Sequence, residues 1–186
     1  MSDFNAIEEV VEELQAGRMI VLVDERATDI DGVELVGEGE LVMIAEHADA
    51  EAVNFMTRQG GSSLYVAAEP KHIESLGIDT IHPVQFGPRG ASVLASVNSI
   101  DIRGTGVSAQ DRARTIAKLA NPESQKEDFV QPGYVTPLQA QSGGVLRRAG
   151  HTEGSVDLAR MADCRPVALI SAILDDDGEL APTPYL

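Results

Sequence analysis

Residues 143–158 read GGVLRRAGHTEGSVDL, and the reading of this stretch decides the rest. Val156, Leu158, Ala159 and Ala162 recur at helical spacing, so an amphipathic helix is expected, with Thr152 as its cap and Glu153 favouring its positive end. Ahead of it stand Arg147 and Arg148, two small residues, Ala149 and Gly150, and then His151. Backbone N–H groups at a helix start attract an anion, the arginines add positive charge, and the small residues leave room for a ligand. His151 adds a nitrogen that binds metal or moves a proton near neutral pH. A capped surface helix with a charged lead-in would show the same pattern, so the flanking chain has to discriminate.

Working outward, VALISAIL at Val167–Leu174 is a short apolar strand with DDDG as its turn. Phe4, Ile7, Val10, Val11 and Leu14 predict a first helix, capped by Ser2 or Asp3 and stopped at Gly17. MIVLV at Met19–Val23 predicts a strand ended by Asp24, then a polar acidic loop to Glu40, then a second strand LVMIA at Leu41–Ala45. Asp49 caps a helix carrying Val53, Phe55 and Met56, SLYVA at Ser63–Ala67 is a strand, and Pro70 opens a short helix. Pro83–Gly90 reads as loop, and Ala91–Ile100 as one alternating run. Ser108 begins S-x-x-D ahead of a helix to about Ala120, Asn121–Pro132 is a polar connector, and Tyr134–Ala140 is extended. Helices alternating with short strands indicate an α/β (α+β sandwich-like) fold, taken as one domain over 1–186.

A net charge of −16 argues against nucleic acid and anionic membranes as partners. Residues 1–15 are acidic and lack a long apolar run, no window reaches the ~20 apolar residues of a membrane helix, and the single Cys164 excludes an internal disulfide. A cytoplasmic protein is expected. Two other polar groups bear on chemistry. Asp24, Glu25, Asp29, Asp31, Glu34, Glu38 and Glu40 could supply oxygen ligands to a hard cation such as Mg²⁺, although a solvated charge run would look alike. In GTGVSAQDRART, Gly104 and Gly106 allow close backbone approach, and Asp111 and Arg112 could pair; a lone GTG does not make a phosphate loop.

In order and spacing, GVSAQDRARTI, EDFVQPGYVTPLQA and GGVLRRAGHTEGSVDLARMA resemble the 3,4-dihydroxy-2-butanone 4-phosphate synthase family. That resemblance implies the family's α/β fold, a homodimer with its site near the interface, and conversion of ribulose 5-phosphate to a four-carbon phosphate and formate. It implies catalytic roles for His151, Glu38 and Asp24. It assigns substrate contacts to Glu40, Arg148, Ala149, Gly150, His151 and Thr152, and Mg²⁺ or Mn²⁺ to His151 and Glu38. Arg148→Ala and Thr152→Ala are expected to weaken sugar-phosphate binding greatly while leaving the fold intact, since charge-assisted bonds to phosphate are lost without opening a core cavity.

The pattern also departs from the family. Leu35 and Val36 stand where the family has an arginine and a metal-binding glutamate, and Glu40 replaces an aspartate. Tyr134 replaces a histidine, Ala172 a carboxylate expected in proton transfer, Gly104 a threonine and Tyr65 a cysteine. Each lost acid–base group typically removes 10²–10⁴-fold in rate. Three outcomes follow: an enzyme of the family type with the original reaction impaired or altered, a ligand-binding homologue or pseudoenzyme without turnover, or a paralogue with a different substrate in another pathway.

Overall fold

The computed structural model describes residues 4–24, 37–61, 63–81 and 92–186. Residues 25–36, including Val36 and most of the acidic loop, and the predicted loop at Pro83–Gly90 lie outside the described residues, as do Ser2 and Asp3.

Seven strands form the sheet: β1 (Ile20–Asp24), β2 (Glu38–Ile44), β3 (Tyr65–Ala68), β4 (Ser92–Val93), β5 (Val97–Ser99), β6 (Phe129–Gln139) and β7 (Val167–Ala172). Their order is β1-β2-β7-β3-β6-β4, with β5 also paired to β6. All pairs are antiparallel except β3 with β6. The helices are α1 (Ile7–Gln15), α2 (Ala50–Gln59), α3 (Pro70–Leu76), α4 (Ala109–Ala120) and α5 (His151–Met161).

The run LVMI at Leu41–Ile44 in β2 is apolar on both faces because helices cover both sides of the sheet. Leu41 and Met43 pack with Val53 and Met56 of α2, Ile73 and Leu76 of α3, and Ile116 and Leu119 of α4. Val42, on the opposite face, packs with Ile170 of β7 and Val156 of α5. Ile44 joins Leu158 and Ala159 of α5 and Leu14 of α1. Each such side chain, buried fully, contributes about 1.5–3 kcal/mol.

Several expectations hold. Asp49 caps α2 through Ala52 N–H at 2.8 Å, and Ser108 caps α4 through Asp111 N–H at 3.1 Å. Others are corrected. α1 starts at Ile7 behind Ala6, whose N–H donates to Glu9, so Phe4 precedes the helix. Glu38–Glu40 belong to β2 rather than to a loop before it. The run 91–100 is split into β4 and β5, and the supposed connector ends inside β6, which starts at Phe129. Asp111 pairs with Arg114 at 3.6 Å, while Arg112 Nε is buried without a partner among the described residues.

Candidate active site

The head of α5 meets the upper ends of β1 and β2. α5 begins behind Gly150, which offers no side-chain cap, so Thr152 is not the cap; it is buried in the first turn. An anion at this end would meet main-chain dipoles without a competing side-chain cap. A Cβ at Gly150 would lie 2.7 Å from Arg148 Nη1, so a larger residue there would displace the guanidinium.

His151 is buried, with Nε2 3.2 Å from the Glu38 carbonyl oxygen. A carbonyl only accepts, so Nε2 donates, and Nδ1 carries either a second proton or a lone pair. Nδ1 stands 4.0 Å from Glu38 Oε1 and 3.7 Å from Glu40 Oε1. Glu40 Oε2 is buried without a hydrogen-bond partner among the described residues. Burial, reinforced by the Glu38 charge and opposed by Arg148, raises the Glu40 carboxyl to about 7. Two carboxylates and one imidazole nitrogen thus gather where a proton or a cation relieves their repulsion. This oxygen-rich donor set, with an orphaned oxygen, fits a hydrated divalent ion.

Arg148 Nη1 donates to Glu153 Oε2 at 2.5 Å, and Glu153 Oε1 accepts from Gln141 N–H at 2.8 Å. Glu153 is completely buried. Sequence reasoning gave it only a helix-end charge, although the i,i+5 spacing across Gly150 was a usable signal. A guanidinium has five donors, more than one carboxylate oxygen consumes, so this pair orients Arg148.

A cavity of about 370 Å³ opens beside these groups, lined by Leu22, Val23, Asp24, Val145, Ala149, Gly150, His151 and Gly154. Asp24, Ala149, Gly150 and His151 therefore come together around one cavity. Thr152, Tyr134 and Gly104 do not line it, and Glu38, Glu40 and Arg148 stand beside it without lining it. Across β2 and β7, Glu40 is the direct partner of Ala172, and Tyr65 of β3 pairs with Ile170. Directly opposed residues share a face, so Glu40 and Ala172 stand side by side on the α5 side of the sheet.

The family model of 3,4-dihydroxy-2-butanone 4-phosphate synthase matches residues 8–186. The chain belongs to this family. It is 40% identical over 185 residues to the riboflavin biosynthesis protein RibBA of Aquifex aeolicus, covering 98% of this chain and 44% of that protein. It is 38% identical over 188 residues to the 3,4-dihydroxy-2-butanone 4-phosphate synthase of Pseudomonas syringae, covering 98% and 48% respectively. The chain thus spans about half the length, or less, of these curated relatives. A solved synthase in complex with two magnesium ions superposes with a TM-score of 0.84 at 35% identity, over 93% of this chain and 77% of that one. The two-domain synthase RibBX of A. baumannii gives 0.86 at 34% identity, over 97% and 51%. The mixed α/β architecture is that of these synthases. No helix among the described residues is long and apolar enough to cross a membrane.

Proposed function

We propose that this synthase-family chain is a metal-assisted lyase acting on a phosphorylated ketose, ribulose 5-phosphate first, by enolisation followed by rearrangement or dehydration. The observation that carries this reading is the convergence of Glu38, Glu40 and His151 beside Arg148 at the head of α5. The α5 N-terminus, Arg148 and Arg147 supply the positive end for a phosphate, with Ala149 and Gly150 giving it room. His151 and Glu38 would hold Mg²⁺ or Mn²⁺, which when bound polarises the sugar oxygens and acidifies the adjoining C–H. Glu40, poised near neutrality, exchanges the proton. It reaches one methylene farther than the family's aspartate and stands beside Ala172, where the family carboxylate is missing. Glu40 therefore takes over part of that proton transfer. Asp24 and the apolar walls at Leu22 and Val145 close the cavity around the sugar.

The same reading includes a homodimer. Tyr134 and Gly104 do not line the cavity, yet the family resemblance puts both positions at the site; a second copy would deliver them. Exposed apolar side chains support this: Leu146 is 97% exposed beside the cavity, and Ile100, Val107 and Tyr134 are each more than half exposed. The strong negative charge supports a small-molecule partner over nucleic acid or membrane, in the cytoplasm.

Incubation with ribulose 5-phosphate and Mg²⁺, with assay of formate and the four-carbon phosphate, tests the reaction. Slow turnover that disappears in Glu40→Gln supports it. No consumption and no binding would overturn it. Binding without turnover would favour the ligand-binding homologue, to which Ala172 and Tyr134 already point.

A further inference from the structure

A second group of metal-type donors lies at the opposite end of α5. Glu46 and His47 occupy the 3-10 turn Ala45–His47 that follows β2, and Cys164 lies in the turn after α5. Asp163, ahead of the cysteine, adopts φ of +54°, and Cys164 N–H donates to Ala159 O at 3.0 Å. The thiol donates to Ala162 O at 3.4 Å and lies near the 3-10 turn. A carboxylate oxygen of Glu46, a ring nitrogen of His47 and Cys164 Sγ all lie within 4.8 Å of one another. Among the described residues this is the one group of three His, Cys, Asp or Glu side chains whose ligand atoms all lie within that distance of one another. Arg165 pairs with Glu46, donating its N–H to Oε1 at 3.3 Å with its guanidinium 3.5 Å from Oε2.

We propose that Glu46, His47 and Cys164 form a binding site for Zn²⁺ or a similar borderline-soft transition metal, separate from the candidate active site. Thiolate sulfur, imidazole nitrogen and carboxylate oxygen are the three ligand types zinc prefers. Metal–ligand bonds of about 2.0–2.3 Å place tetrahedral donors roughly 3.5 Å apart, so small rotations of the exposed Glu46 and His47 complete the geometry. The fourth position falls to water. Binding would clasp the end of β2 to the end of α5.

The chain contains one cysteine, so a thiolate-to-cobalt charge-transfer band reports Cys164 alone. Metal-stripped protein titrated with Co²⁺ should develop that band at one equivalent, and Zn²⁺ should displace it. Cys164→Ser should abolish the band, and His47→Ala should weaken affinity tenfold or more. His151→Ala should leave the band unchanged, and circular dichroism checks that each variant is folded. No band with excess Co²⁺ overturns the proposal, as does a band insensitive to His47→Ala or lost in folded His151→Ala.

Discussion

At Arg148 the side chain serves two neighbours, the substrate phosphate of the proposed function and the buried Glu153. Truncating it strands a carboxylate with no access to water. The expectation that it could be removed without disturbing the core is therefore corrected. Arg148→Ala should lower stability by about 2–3 kcal/mol, the buried-pair cost discounted because the guanidinium is partly exposed. Combining it with Glu153→Gln should recover part of that loss in urea melts. Only the double variant then isolates phosphate affinity by calorimetry, which should still fall markedly. Glu40 gives a pH signature. Its folded pKa, about 7, lies above the ordinary 4.5, so the folded chain binds the extra proton between these values. Stability contributed by the protonated form is full below about 4.5 and is lost as pH rises through about 7. The loss amounts to about 3 kcal/mol at most. Chelator-treated protein should lose stability across that window, and Glu40→Gln should flatten the profile. An unchanged slope in the variant would show that another group titrates there.

Among the elements, β5 and β6 are held by a contact that tolerates no side chain. A Cβ at Gly133 would lie 1.8 Å from the Val97 carbonyl carbon. Gly133→Ala should therefore destabilise by about 1–3 kcal/mol or more, read from the urea midpoint. Asn98 sews the same region together, donating to Thr105 O at 3.2 Å and accepting from Tyr134 N–H at 3.0 Å. Elements with local signals were legible beforehand: Asp49 and Ser108 cap with their own oxygens, and Pro70 opens α3. The start of β6 was not, because Phe129–Gly133 is largely polar or exposed and its strand character comes from a distant partner, β5. The same holds within the site. The cluster Arg148–Thr152 could be read from spacing, whereas Thr152 looked like a cap until packing buried it. The Glu40–Ala172 pairing joins strands far apart in sequence, and no local pattern announces it.

For the whole molecule, the proposed function has the chemistry rest on fewer acid–base groups than the family resemblance implies. Formate release from ribulose 5-phosphate should be at least about a hundredfold slower than for a relative with the full set, the lower bound for one lost group. Restoring Ala172→Glu, Tyr134→His and Val36→Glu together should raise it by more than the single changes predict, since such groups act as a unit. A full family-level rate in the unaltered chain would refute the impairment. Sedimentation should show a dimer, and mixing Glu40→Gln with Tyr134→Ala chains should give hybrid sites if each cavity draws on both copies.

On the proposed function, the rung that joins Glu40 to Ala172 also bears on how this chain came to be. Two positions that share one patch of space cannot drift independently. A lineage that lost the carboxylate at 172 first would pass through a form with only the shorter aspartate, and one that lengthened residue 40 first would crowd two acids together. Either route penalises the half-changed ancestor, so the two substitutions should travel as a pair. Relatives carrying alanine at 172 should carry glutamate at 40, and relatives keeping the acid at 172 should keep aspartate there. A collection in which the two positions vary freely would dissolve that history.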